Sequence, residues 1–244
     1  MRDTERAEVA AFRTLASGLP GPGTFASAGD ALAVRCPLAG TELNRILGLE
    51  AIAQLDELEP LFEDGRIVVS LDPATGLEPK LAARGFAPGY PWQKFVREPA
   101  PLHAETSLAV EPARRPEHFA HAAVHGYGLT AAFEPWAAGL VGRAGWHCLV
   151  AYDGATPVAT GVLHVAEDVG WVGVGATLPE YRGRGAQSAL LAARVSLAHE
   201  LGLRLLVTET GVPRDGRPGP SYRNILRAGF REAYVRPNLV KDAA

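Results

Sequence analysis

Thr177-Leu-Pro-Glu-Tyr-Arg-Gly-Arg-Gly-Ala-Gln-Ser-Ala-Leu-Leu191 decides the reading of this chain. It leaves an apolar run, Val169-Gly-Trp-Val-Gly-Val-Gly-Ala176, makes a glycine-rich turn, and passes directly into apolar residues at helical spacing: Ala186, Ala189, Leu190, Ala193 and Leu197. A helix that opens here places its first N–H groups, which have no partner inside the helix, at the turn. Gly183 and Gly185 have no Cβ to shield the backbone, so consecutive N–H groups can point at one anion. Strand, glycine turn and helix in this order make a phosphate cradle of a size to suit a pyrophosphate; a plain strand-to-helix connection is the alternative. Nucleotide binding of the Walker type is excluded, because no Gly-x-x-x-x-Gly-Lys-Ser/Thr run exists in the chain.

The bulk composition narrows the partners. With 244 residues and 47% hydrophobic content the chain can fold as two modest domains or one large one. A net charge of −3 and a pI near 6.2 argue against a nucleic-acid or membrane-surface partner, which would need a basic face, so an anion bound here is held locally. Cys36 and Cys148 lie far apart in apolar, strand-like segments and read as small buried hydrophobes in a reducing cytoplasm. No run approaches eighteen apolar residues, and the first residues lead into no apolar stretch, so neither a membrane span nor a signal peptide is expected.

Two loop-rich stretches punctuate the chain, one at 17–24 after a short amphipathic helix and one at 97–102. The second marks the expected boundary between a domain at 1–100 and another at 105–244. Beyond it the pattern predicts a strand at 106–111, helices at 116–127 and 131–141, and strands at 146–152, 158–165 and 169–176. Then come the helix after the glycine turn, a strand at 204–209, a helix at 221–228 and an extended segment at 230–240.

The C-terminal segment resembles the GNAT acetyltransferase superfamily, both in this β-α-α-β-β-β-α-β-α-β order over roughly 105–240 and in Arg182-Gly-Arg-Gly185-Ala-Gln187. The latter is similar to the family's Gln/Arg-x-x-Gly-x-Gly/Ala motif, with Gln187 standing where Gly or Ala is usual. The resemblance implies an α/β fold with a mixed sheet and acetyl-CoA as co-substrate. It carries pantetheine contacts onto the backbone of Val174, Ala176 and Thr177, and pyrophosphate contacts onto Arg182, Gly183, Arg184, Gly185, Ala186, Gln187 and Ser188. Gly170, Gly173 and Gly175 sit within the preceding strand, where glycine is unfavourable unless a bulge forms or something approaches the backbone; close packing of the sheet is the bland reading. Arg182 and Arg184 either add charge near the phosphates or are solvated surface arginines.

The first hundred residues echo the end of this domain. Arg66-Ile-Val-Val-Ser-Leu-Asp72 parallels Arg204-Leu-Leu-Val-Thr-Glu-Thr210, and Pro79-Lys-Leu-Ala-Ala-Arg-Gly-Phe86 parallels Tyr222-Arg-Asn-Ile-Leu-Arg-Ala-Gly-Phe230. Internal duplication follows, giving a tandem GNAT-like chain, with a separate unrelated domain as the alternative. Between the strand-like 43–49 and a helix near 51–62 only Glu50 remains, so the N-terminal copy has no phosphate loop.

Transfer from a thioester to an amine needs a neutral amine, a stabilised oxyanion and a departing thiolate. An amine of pKa ~10.4 calls for a base, whereas a thiolate of pKa ~8.5 leaves readily. The family's acid is a Tyr five residues before the Phe of its Gly-Phe ending; here that position is Ile225. Tyr222, nearly one turn earlier, either substitutes or packs. Glu209, at the carboxyl end of an otherwise apolar strand, is the candidate base or a solvated strand end. Asn224 bonds the CoA arm or its own neighbours. His118, His121 and His125 share a helix face. They come without a Cys pair, a His-Glu-x-x-His motif or an obvious fourth ligand, so they read as entrance residues and no metal is expected; Phe133 and Trp136 either line the same entrance or belong to the core.

The sequence thus points to an acetyl-CoA-dependent N-acetyltransferase acting on a small-molecule or peptide amine. Its rivals are a non-catalytic acyl-CoA-binding module and a scaffold without a CoA site.

Overall fold

The computed structural model describes residues 1–242 apart from Pro22, Thr41, Glu42, Glu63 and Asp64. Pro22, in the loop expected at 17–24, and Ala243 and Ala244, at the end of the second expected domain, lie outside the described residues. In chain order the elements begin with α1 (Asp3–Ala16), β1 (Thr24–Ala28), β2 (Ala31–Arg35), β3 (Arg45–Leu47), α2 (Ile52–Leu58), β4 (Ile67–Ser70), α3 (Glu78–Ala82), β5 (Ala87–Pro88) and β6 (Trp92–Arg97). There follow β7 (Ala109–Pro112), α4 (Pro116–Tyr127), α5 (Glu134–Ala138), β8 (Trp146–Asp153), β9 (Thr156–Ala166), β10 (Val169–Thr177) and α6 (Ala186–Glu200). The chain closes with β11 (Leu205–Gly211), α7 (Pro220–Arg227), β12 (Arg231–Arg236) and β13 (Asn238–Lys241).

These elements group into two units. One comprises Met1–Lys94, Glu209–Pro218 and Glu232–Ala244, the other Phe95–Thr208 and Gly219–Arg231. The division differs from the expected 1–100 and 105–244, because the chain returns twice to the N-terminal unit. Two causes are visible inside that unit. β13 pairs with both β4 and β5, completing a sheet of order β1-β2-β3-β4-β13-β5. And the N-terminal helix buries Glu8, whose carboxylate accepts from Lys94 Nζ at 2.7 Å and from Arg236, while Lys94 also bonds Glu209 Oε2 at 3.0 Å. A buried charge must be paired, and Arg236 and Glu209 of this group come from the returning segments. Ile46, Leu55, Val69, Leu71 and Leu81 form the apolar core beneath the sheet.

In the C-terminal unit β7, β8, β9, β10 and β11 lie in that order, antiparallel up to β10 and parallel between β10 and β11. A parallel pair needs a long crossover, and α6 supplies it. Its Leu191, Val195 and Ala198 pack with Leu163, Val172 and Leu206 of the sheet and with Tyr222, Ile225 and Phe230. α4 starts at Pro116 and stops at Gly128 (φ 72°), as a helix-start proline and a left-handed cap dictate. The helix expected at 131–141 is shorter: a 3₁₀ turn at Ala131–Phe133 leads into α5, which ends before Gly139 and Gly142. The strand expected at 106–111 begins later, at Ala109.

The echo between the units is physical. After α3, Gly85 (φ 85°) is followed by Phe86 N bonded to Leu81 O at 3.2 Å. After α7, Gly229 (φ 78°) is followed by Phe230 N bonded to Ile225 O at 3.3 Å. Both phenylalanines are buried. The same six-to-one closure thus directs each chain back into its core.

Candidate functional site

β10 changes character halfway along. Its backbone pairs with β11 only from Val169 to Trp171, against Leu205 to Val207. At the next rung a side chain takes over, Thr208 Oγ1 donating to Val172 O at 2.7 Å. On the other edge the register with β9 shifts between Gly173 and Ala176. Val174 lies in this bulge at φ 47°, a conformation a β-branched residue rarely adopts. Strain of this kind persists only where the surroundings over-determine it.

The surroundings do so here, through three side chains that hold the carbonyls of the bulge. Arg194 Nη1 donates to Gly173 O at 3.1 Å, Thr160 Oγ1 to Val174 O at 3.2 Å, and Gln187 Nε2 to Ala176 O at 2.8 Å. The strand glycines fit the same scheme. A Cβ on Gly173 would collide with the indole of Trp171, one on Gly170 with Leu163 and Leu206, and one on Gly175 with Gln187. On α4, a Cβ on Gly126 would lie 2.9 Å from Thr177 N, so this helix packs its backbone directly on the end of β10.

The glycine turn follows at once. Gly183 (φ 79°) and Gly185 (φ 81°) are both left-handed, and a Cβ on either would meet nothing closer than 3.7 Å. What these two supply is backbone conformation rather than room. Gly185 is the N-cap of α6, and no side chain caps that helix. The positive end of the α6 dipole therefore faces the turn. Gln187 contributes no cap because its amide points inward, bonding Thr160 O (3.2 Å) and Thr177 Oγ1 (3.1 Å) as well as Ala176 O. The residue that departs from the family motif thus fastens the helix start to the bulged strand.

Other expected site residues lie as follows. Arg182 reaches Gly126 O and Thr177 O, and Arg184 pairs with Asp153 at 2.7 Å over the ring of Tyr181, so both guanidinium groups have protein partners. Tyr222 is buried, its ring edge-on to Phe95 at 4.9 Å, and Ile225 is buried in the same cluster. Asn224 is half-buried on α7. Glu209 belongs to the buried charge group of the N-terminal unit. Burial raises its affinity for a proton, reinforced by Glu8 and opposed by Lys94 and Arg236. Burial likewise pushes Glu8 up, but Arg236 and Lys94 together outweigh it and hold that carboxyl at about 2.

Sequence reading missed Thr160, Arg194 and Thr208. Arg194 left a signal: it sits four residues after Leu190 on the apolar side of α6. Burial pulls its pKa down to about 10, so it stays protonated at neutral pH, a positive charge under the bulge held by carbonyl oxygens.

The site is thus a bulged strand that parts from its parallel neighbour and feeds an uncapped helix through two left-handed glycines. Residues 110–217 match the family model described as acetyltransferase (GNAT) family. Among solved structures, a GCN5-related N-acetyltransferase from Kribbella flavida superposes with a TM-score of 0.66 at 18% identity, covering 99% of this chain and 96% of that one. A tandem GNAT protein from the clavulanic acid biosynthesis pathway gives 0.59 at 15% identity, with 100% and 96% covered. A GCN5-related N-acetyltransferase from Sphaerobacter thermophilus gives 0.59 at 15%, with 87% and 80% covered. No curated protein matches the chain. Residues 110–217 are thus similar to the GNAT acetyltransferases, and the chain as a whole has the tandem GNAT fold.

Proposed function

We propose that this protein transfers the acetyl group of acetyl-CoA to a primary amine, in the cytoplasm, with only the C-terminal copy binding the donor. The observation that carries this reading is the parting of β10 from β11 directly before the glycine turn. In this reading the pantetheine arm lies along the backbone of Val174, Ala176 and Thr177, with Asn224 bonding the arm. The pyrophosphate sits on the N–H groups of the segment Arg182, Gly183, Arg184, Gly185, Ala186, Gln187 and Ser188, where helix dipole and unpaired donors favour an anion. A backbone N–H near Ala176 faces the charge that develops on the carbonyl oxygen, and the buried Arg194 beneath adds a fixed positive field.

Glu209 and Tyr222 are proposed as base and acid. Burial strengthens the proton affinity of Glu209, as a base requires, while Lys94 holds its Oε2 in place. Tyr222 is held by the edge-on contact of its ring with Phe95. If Glu209 is the base, Glu209→Gln lowers the rate most at neutral pH and recovers as pH approaches the amine pKa. If Tyr222 is the acid, Tyr222→Phe lowers kcat far more than it raises the Michaelis constant for acetyl-CoA. Two mutants fully active at all pH values would leave positioning and the backbone donor as the whole of catalysis.

A non-catalytic acyl-CoA-binding module is the second reading. It is favoured by Ile225, which occupies the family acid's position and is buried. Thiol release from acetyl-CoA with a panel of amines decides between them: turnover with some amine supports the enzyme, and CoA binding without turnover supports the module.

A further inference from the structure

We propose that His121, His125 and Glu134 form a binding site for a divalent transition metal of the Zn²⁺ class. His121 and His125 stand one helical turn apart on α4, with ring centroids 4.6 Å apart. Glu134 opens α5, and the three ligand atoms all lie within 4.8 Å of one another. Both imidazoles converge on the same carboxylate atom: Glu134 Oε1 is 2.9 Å from His125 Nε2 and 4.0 Å from His121 Nδ1. A tetrahedral site with bonds of roughly 2.0–2.2 Å spaces its ligand atoms about 3.4 Å apart, so these separations bracket the value and small side-chain rotations reach it.

Donor chemistry sets the class of ion. Two neutral imidazoles and one carboxylate suit Zn²⁺, Cu²⁺, Ni²⁺ or Co²⁺, whereas Mg²⁺ and Ca²⁺ favour all-oxygen sites. The side chains are 51%, 40% and 38% exposed, so the site is open to solvent and water completes the coordination. Among the described residues Glu134 pairs with no lysine or arginine that would compete with a cation. The scaffold is fixed on both sides. α4 ends at the left-handed Gly128, and Phe133, fully buried, packs edge-on against Trp136 to set the start of α5. The third histidine of this helix face is not part of the set, since His118 Nδ1 lies 3.2 Å from the hydroxyl of Tyr152. An ion here ties α5 to the end of α4 whose Gly126 bears on β10. The inference stands independently of the acyl-transfer reading.

The test uses tag-free, full-length protein with Co²⁺ as a spectroscopic probe and Zn²⁺ as competitor. A single Co²⁺ per chain is expected to bind with visible ligand-field absorption and to be displaced by Zn²⁺. Affinity should fall about tenfold or more in His125→Ala and in Glu134→Gln and stay unchanged in His118→Ala. Far-UV circular dichroism confirms folding of each variant. If His125→Ala does not fold, the more exposed His121→Gln takes its place. Absence of the absorption band, binding that none of His121, His125 and Glu134 affects, or binding lost in His118→Ala would each overturn the proposal.

Discussion

Each unit joins a pair of parallel strands through a helix, and the two helices begin in opposite ways. In the N-terminal unit β3 stays paired with β4 along all three of its residues. The following helix α2 is closed off by its own sequence: Gln54 Oε1 accepts from Glu50 N at 2.8 Å and from Ala51 N at 2.9 Å. The spot where an anion would rest is filled by a carboxamide oxygen. In the C-terminal unit β10 leaves β11 after three rungs, α6 has no side-chain cap, and its glutamine, Gln187, turns inward to the strand. The two starts differ in two left-handed glycines and in the direction of one glutamine, and under the proposed function that difference separates an anion site from an inert connection.

The comparison can be broken most directly at Gly185. Valine there must leave φ 81°, which disrupts the N–H groups of the cradle. Losing two charge-assisted bonds costs roughly 3–6 kcal/mol. Gly185→Val should thus weaken CoA binding at least ~tenfold in calorimetric titration while the protein remains folded. Because α2 is already capped, equilibrium dialysis should find one CoA per chain; two would mean that the N-terminal copy binds as well.

Acid separates the units by a different route. Burial, helped by His147, pulls His164 of the C-terminal unit from 6.5 down to about 4. Its contribution is present above pH 6.5 and is lost as pH falls toward 4, about 3 kcal/mol in total. In the N-terminal unit Glu8 is held at about 2, against an ordinary 4.5, so its contribution disappears only below that ordinary value. Thermal unfolding followed from pH 7 to pH 3 should show the C-terminal unit losing stability first. His164→Leu should remove the slope between pH 6.5 and 4, and a slope unchanged in that variant would place the loss elsewhere.

Arg194 sharpens the comparison from below the bulge. Arg194→Met leaves the buried carbonyl of Gly173 without its donor, which costs about 2 kcal/mol. Turnover should fall as well, since Val174 loses part of the frame that keeps it strained. A mutant with wild-type unfolding temperature and rate would show that Thr160 and Gln187 suffice. The smallest effect belongs to Gln54→Ala, which removes the α2 cap at about 1 kcal/mol and should leave CoA affinity unchanged. Gln187→Ala, by contrast, should weaken CoA binding because it frees the start of α6 from β10.

Much of this was legible in the chain. The glycine turn, the helix that follows it and the paired Gly-Phe endings rest on local chemistry: left-handed backbone, helical periodicity and caps act within a few residues. Gln187 was legible only as a departure from a motif, since the carbonyls it holds lie 11 and 27 residues away in sequence. The return of 209–218 and 232–244 to the N-terminal unit was not visible. That return depends on which buried cations pair with Glu8 and on which strand β13 meets.

The sequence by itself determined where a glycine turn opens a helix, that the N-terminal copy has no such turn, and that His118, His121 and His125 share a helix face. Each of these depends on neighbours within about two turns of chain. Only the tertiary structure decided that β10 parts from β11, that Arg194 lies beneath the bulge, that Glu209 is paired with Lys94, and that Glu134 meets His121 and His125. Pairing, burial and ligand geometry are properties of residues brought together across the fold, and no local pattern encodes them.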